Sequence, residues 1–316
     1  MNNSWNVSSR PLLFDGSYRM RVTISGARSQ GHNHRHWTKD RESQNRVSDP
    51  RCPHIVTRTR SLPASLKFPA DAVSLHAMPS ETYAGWYSPR MGREMEILAW
   101  GDGGTPVLVF PSSWGRFYEW KDFLMIDTLA GKIDAGYIQR YGVDSFCSES
   151  WYNNNIHPAE RVRRHNVWES YVMEEVIPFV RSRNSTANLI TAGVSFGAYL
   201  AVNFAFKHPE VVTKTVGLSG SYSIKRLLDE YYDDDCYFNC PVSYMANVND
   251  ERLLGLIRRM EISLATSDLD IGICRERTYD MSRVLSQRGV NHRLDDWGGH
   301  TVHDWPSWRK MIGEYL

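Results

Sequence analysis

Disulfide pairing, membrane-spanning length and charge of a single sign are all missing from this 316-residue chain. Its five cysteines, Cys52, Cys147, Cys236, Cys240 and Cys274, are an odd number at irregular spacing. That excludes the framework of a small secreted domain and points to free thiols in a reducing compartment, the cytoplasm. Cys236 and Cys240 stand four apart, but no second Cys or His pair follows at finger spacing, so no zinc site is expected there. No apolar run reaches the length of a membrane span, and the first thirty residues lack the apolar stretch of a secretory signal. The chain reads as soluble. The formal net charge is +1, with 11 Lys and Arg against 4 Asp and Glu in residues 1–60, leaving 26 against 32 in the rest. A mildly acidic body without a clustered positive face argues against general binding of nucleic acid.

What is present is an apolar content of 41%, enough for one large α/β domain. Residues 1–80 are basic, rich in Ser, Arg, Asn and His, and without sustained periodicity; they are expected to be disordered or loosely attached, with the folded domain over residues 81–316. The front segment shares the arginine- and serine-rich, acid-poor composition of an organellar transit peptide but not its amphipathic helix. Met78, just ahead of the organised pattern, is an alternative start of translation. His32, His34 and His36 read as solvated tail rather than metal ligands. From Tyr83 onward, short β-type runs over 94–100, 106–110, 137–143, 188–193, 211–219, 261–266 and 291–297 alternate with helical patterns over 117–130, 157–182, 197–207, 223–232, 250–260, 274–288 and 305–316. This alternation predicts a mainly parallel sheet with helices on both faces. The GDGGT link between the first two runs predicts a hairpin.

One stretch carries chemistry. In TAGVSFGAYLA, residues 191–201, Ser195 stands where an apolar β-type run turns directly into a helical pattern, with Gly193 and Gly197 on either side. A nucleophile needs that geometry, because a sharp strand-to-helix turn lifts the hydroxyl out of the sheet edge and puts the Phe196 N–H beside a developing oxyanion. A serine is a weak nucleophile until a base, itself oriented by a carboxylate, takes its proton. The chain supplies both later on, in loops that follow strands. Asp268 and Asp270 come after 261–266, and His300 and His303 come after 291–297. Spacing alone leaves both pairs open, and leaves Asp270 the alternative of capping the helix that begins near Ile273.

FPSSWGRFYEW (110–120), ESWYNNNIHP (149–158), GVSFGAY (193–199), YFNCPVSYM (237–245), SDLDIGICRE (267–276) and HDWPSW (303–308) together resemble the esterase branch of the α/β-hydrolases. That group includes esterase D-like S-formylglutathione hydrolases, feruloyl esterases, mycolyltransferases and polyhydroxybutyrate-depolymerase-like esterases. The resemblance implies an α/β-hydrolase fold and a serine esterase with Ser195 as nucleophile, His303 as base and Asp270 as its orienting acid. It implies oxyanion donors at the backbone N–H of Phe196 and of Ser113, with Trp114 as the neighbouring option. Trp114, Trp151 and Tyr152 are candidates to line the substrate pocket, with ordinary packing as the alternative for Trp151 and Tyr152. The expected substrate is a small or short-chain ester, because residues 221–260 suffice only for a modest cap that is acidic around Asp233–Asp235. No metal or organic cofactor is called for, and no nucleic-acid or membrane partner. Acyl transfer with the same residues, or a non-catalytic binding scaffold, are the competing readings.

Overall fold

The structure, a computed structural model, describes residues 80–316. The expectations for the basic front segment, His32, His34, His36, Cys52 and Met78 fall outside the described residues.

Among the described residues, eight strands form one sheet in the order β1-β2-β4-β3-β5-β6-β7-β8. They are β1 Glu81–Ser88, β2 Arg93–Trp100, β3 Thr105–Phe110, β4 Ile138–Val143, β5 Ile190–Val194, β6 Lys214–Leu218, β7 Glu261–Thr266 and β8 Arg293–Asp296. The two contacts that β2 makes, with β1 and β4, are antiparallel, and every other pairing is parallel. The helices are α1 Glu119–Asp122, α2 Met125–Asp134, α3 Pro158–Tyr171, α4 Ile177–Arg183, α5 Phe196–Lys207, α6 Asp234–Tyr237, α7 Pro241–Asn247, α8 Glu251–Ile257, α9 Gly272–Gln287 and α10 Trp305–Ile312. A π turn, Val172–Val176, joins α3 to α4. No helix among the described residues is long and apolar enough to cross a membrane.

The sheet is covered on both faces, so its inner strands are apolar on both sides rather than alternating. In β3, Leu108 and Phe110 enter the larger core, beneath α3, α4, α5, α8 and α9, while Val107 and Val109 enter the smaller core, beneath α1, α2 and α10. Helix α5 is buried at every position from Phe196 to Phe206, which is why it lacks a polar stripe. Cys147, Cys236, Cys240 and Cys274 are free and buried.

Two sequence expectations are corrected. GDGGT does not close a hairpin, because β4 lies between β2 and β3, pairing Ile97 with Val143 on one side and Thr105 with Ile138 on the other. The link has to cross the end of β4. Gly104, at φ +90°, passes so close that a Cβ there would lie 2.5 Å from the Gly136 carbonyl oxygen. The hairpin is β1–β2, and ETYAGWYS was missed as a strand because only its later positions alternate between buried and exposed. The helix expected over 223–232 is one 3₁₀ turn, Lys225–Leu227. Residues 221–260 form a flank packed into the larger core through Tyr222, Ile224, Cys236, Cys240 and Met245 rather than a free-standing cap.

His165 of α3 is 2% exposed, its ring stacked on Trp168 and tilted against Trp151 and Tyr199. Burial pushes its imidazole down to about 3, so the folded state holds it neutral where the unfolded chain would protonate it. With the folded value depressed, this site's contribution is intact above the ordinary histidine value of about 6.5 and is lost as pH falls from there towards 3. Relative to His165→Phe, the wild type should lose about 1.4 kcal/mol of unfolding free energy per pH unit in that window. Urea denaturation at a series of pH values measures the difference, and parallel curves would contradict it.

Candidate active site

The turn from β5 into α5 is shaped by backbone crowding. Ser195 sits at φ 54°, ψ −121°, a conformation that costs energy for a residue with a side chain and raises its hydroxyl above the sheet edge. Its N–H still bonds the Leu218 carbonyl at 2.8 Å, continuing the β5–β6 ladder. The two flanking glycines are close-approach sites. A Cβ on Gly193 would lie 2.0 Å from the Gly197 carbonyl oxygen, and one on Gly197 would lie 2.4 Å from that of Phe110. Without those side chains, the start of α5 can rest directly on the end of β3 and the loop that follows it.

Three side chains meet at the carboxyl edge of the sheet. His303 Nε2 is 2.9 Å from Ser195 Oγ, and His303 Nδ1 is 2.6 Å from Asp270 Oδ1. Asp270 also accepts from Thr266 Oγ1 at 2.9 Å and from the Ile271 N–H at 2.8 Å. Burial pushes its carboxyl up, but hydrogen bonds from His303, Ser219 and Thr266 outweigh that and hold it below the usual carboxylate range. An ionised Asp270 can only accept, so the Nδ1 hydrogen points at it and Nε2 is left with a lone pair facing the serine hydroxyl.

The two loops carrying Asp270 and His303 are stapled together. Leu269 and Val302 form a parallel bridge, and Ser267 Oγ donates to the Thr301 carbonyl at 2.8 Å. The remainder of HDWPSW fixes the histidine from below. Asp304 caps α10 by accepting from the Ser307 N–H, and Ser307 Oγ accepts from the Val302 N–H. Trp308 packs edge-on against the His303 ring and donates to Ser219 Oγ. Asp268 and His300 are both exposed, His300 at φ +90°, and neither joins this network. Helix α9 begins at Gly272 with no side-chain cap, so Asp270 is not spent on capping it.

The loop after β3 faces the elbow. Trp114 is left-handed at φ +63° and 61% exposed. Tyr152 stacks on Trp114 and packs against Phe196, and its hydroxyl is 2.7 Å from Ser113 Oγ. Trp151 corrects an expectation. It is fully buried in the larger core against His165 and Tyr199, so it lines no open pocket. Sequence reasoning passed over Glu119, whose buried carboxylate accepts from both the N–H and the Oγ of Ser112 at 2.7 Å. Burial pushes that carboxyl up despite the two bonds. A Cβ on Gly115 would strike it at 2.4 Å, so Gly115 makes room for this clamp. The only signal in the sequence was an acidic residue just after an SSWG turn, a common pattern.

An eight-stranded, mainly parallel sheet with its elbow serine at the carboxyl edge defines an α/β-hydrolase fold. The family model described as "Putative esterase" matches residues 77–314, and the chain belongs to that esterase family. Comparison with curated proteins returned no match. Among solved structures, a ferulic acid esterase is similar at 13% identity and a TM-score of 0.60, over 75% of this chain and 96% of that one. A ferulic acid esterase from Anaeromyces mucronatus is similar at 12% identity and a TM-score of 0.59, over 81% and 97%. An S-formylglutathione hydrolase from Staphylococcus aureus is similar at 15% identity and a TM-score of 0.55, over 75% and 96%.

The crowding at the elbow predicts that Gly193→Ala and Gly197→Ala each destabilise the protein by about 1–3 kcal/mol or more. Gly255→Ala in α8, where a Cβ meets nothing within 4 Å, should stabilise by up to about 1 kcal/mol. Urea midpoints for the three variants check both signs.

Proposed function

We propose that this esterase is a serine carboxylic-ester hydrolase acting through an acyl-enzyme. Ser195 attacks the ester carbonyl while His303 Nε2 takes its proton, and Asp270 holds the ring and offsets the charge of the imidazolium. The tetrahedral oxyanion is held by the N–H of Phe196 and, from the loop after β3, that of Ser113. The Ser112 amide is engaged by Glu119 and the Gly115 amide by the Ser112 carbonyl, which favours Ser113, with Trp114 beside it, as the second donor. His303 gives its proton to the departing alcohol, then deprotonates the water that releases the acid. Glu119 acts through the Ser112 backbone as a positioning residue, and Tyr152 with Trp114 forms one wall of the substrate site.

The observation that carries this reading is one imidazole bonding Ser195 Oγ and Asp270 Oδ1 at once, at 2.9 and 2.6 Å. A half-buried Ser195 at the edge of a flank without a large apolar lid favours small or short-chain esters. The four thiols among the described residues, all free and buried, suit a reducing compartment, and the cytoplasm is the proposed location.

Ser195→Ala should reduce hydrolysis of p-nitrophenyl butyrate by roughly 10⁶-fold and abolish labelling by a fluorophosphonate probe, with an unchanged urea transition. Asp270→Asn, which reverses the preferred imidazole tautomer, should lower kcat by roughly 10⁴-fold. Glu119→Ala should reduce kcat about tenfold or more, because a misplaced donor weakens the transition state rather than the ground state. Full turnover by Ser195→Ala would end the proposal.

A further inference from the structure

We propose that a basic cavity at the same sheet edge binds an anionic group of the substrate, a carboxylate or phosphate, and makes the enzyme selective for charged esters. This rests on the serine-esterase reading above. The cavity, of about 170 Å³, is lined by Ser223, Lys225, Arg226, Val242, Ile273 and Arg277. Three of the six are cations and none is a carboxylate. Arg277 is already answered, by Asp280 at 2.6 Å and Glu276 at 3.7 Å. Lys225 Nζ lies 5.4 Å from the Tyr232 ring centre, and among the described residues neither Lys225 nor Arg226 has a carboxylate partner. Neighbouring cations without counterions repel one another, and a bound anion removes that cost while making charge-assisted hydrogen bonds.

The position of the cavity ties it to the ester chemistry. Ser223 follows β6 and Ile273 follows β7, so both stand at the carboxyl edge where Ser195 stands, and Ile273 is three residues beyond Asp270. Helix α9 starts at Gly272 with no side-chain cap, and Ile273 in its first turn lines the cavity, so the positive end of the helix lies beside it. Burial pushes the phenol of Tyr152, the residue that bonds Ser113, up to about 12, while that bond and, more weakly, the charge of Arg226 draw it down. A substrate with its carbonyl at Ser195 and a negative group reaching the cavity would satisfy both places.

Two matched ester pairs test this. In p-nitrophenyl hemisuccinate against p-nitrophenyl butyrate the charge is on the acyl side, and in 4-acetoxybenzoate against its methyl ester it is on the alcohol side. In one pair the wild type should favour the charged ester in kcat/KM. Arg226→Gln and Lys225→Gln should each lower that charged-to-neutral ratio about tenfold, mainly through KM, and added salt should lower it as well. Ratios unchanged by either variant in both pairs overturn the proposal. Direct binding separates it from the esterase reading: succinate and inorganic phosphate, tried separately, should raise the Tm of Ser195→Ala protein but not of the same protein carrying Arg226→Gln and Lys225→Gln. Stabilisation by one anion and not the other identifies the group. A Tm gain equal in both proteins counts against the cavity, whatever the ester assays show.

Discussion

At the elbow three backbone segments touch with no side chain between them. The carbonyl of Gly197 lies over Gly193, and the carbonyls of Phe110 and Pro111 lie against Gly197. The consequence is that α5 begins directly on the end of β3, and the position of Ser195 follows from it. Ser195 is forced into a strained turn above the edge. The loop after β3 is brought against the start of α5, where Tyr152 contacts both Phe196 and Ser113. Helix α5 can hold that position because it is buried along its whole length between the sheet and the outer helices, so its packing outweighs the cost of one strained residue.

Several polar groups buried around this frame are partnered in ways that hold chain segments together. Glu169 of α3 bonds both Lys207 and His208 at the end of α5, and Lys207 reaches Asn239 in the flanking segment. Arg116 joins Glu96 of β2 to Asp144 after β4. Nearer the site, Glu119 holds the loop after β3, while Ser267 and the Leu269–Val302 bridge hold the aspartate loop to the histidine loop. A buried carboxylate is costly unless it is bonded, so these groups specify one arrangement of loops that apolar packing alone would leave free. The proposed triad and the basic cavity are both products of loops fixed in this way.

Much of the site was legible because its signals are local. A β-type run breaking at a serine between glycines, an aspartate after one later strand and a histidine after another are short patterns whose order along the chain can be read directly. Other features were not. The misread GDGGT link shows that adjacency along the chain does not reveal which strand slots between two others; that depends on β4, more than thirty residues away. Trp151 and Tyr152 are neighbours in one loop, yet Trp151 is buried in the core and Tyr152 borders the site, because the side chains of consecutive residues can point in opposite directions and only the packing of α3 and α5 decides which goes in. Glu119 was invisible for a related reason. Its role depends on a backbone amide seven residues earlier, and nothing in its neighbourhood marks that amide as unsatisfied.

The sequence by itself determined the alternation of elements, the apolar strands that must be covered on both faces, and the turn where a serine replaces a cap, since each of these is set by periodicity and backbone sterics within a dozen residues. Tertiary structure alone decided which of two histidines meets Ser195 and which of two aspartates meets that histidine. It also decided which aromatic residues are walls and which are core, and that Lys225 and Arg226 of the flank line one cavity with Arg277 of α9. These are choices between chemically equivalent residues a few positions apart, and only contacts between segments distant in the chain distinguish them.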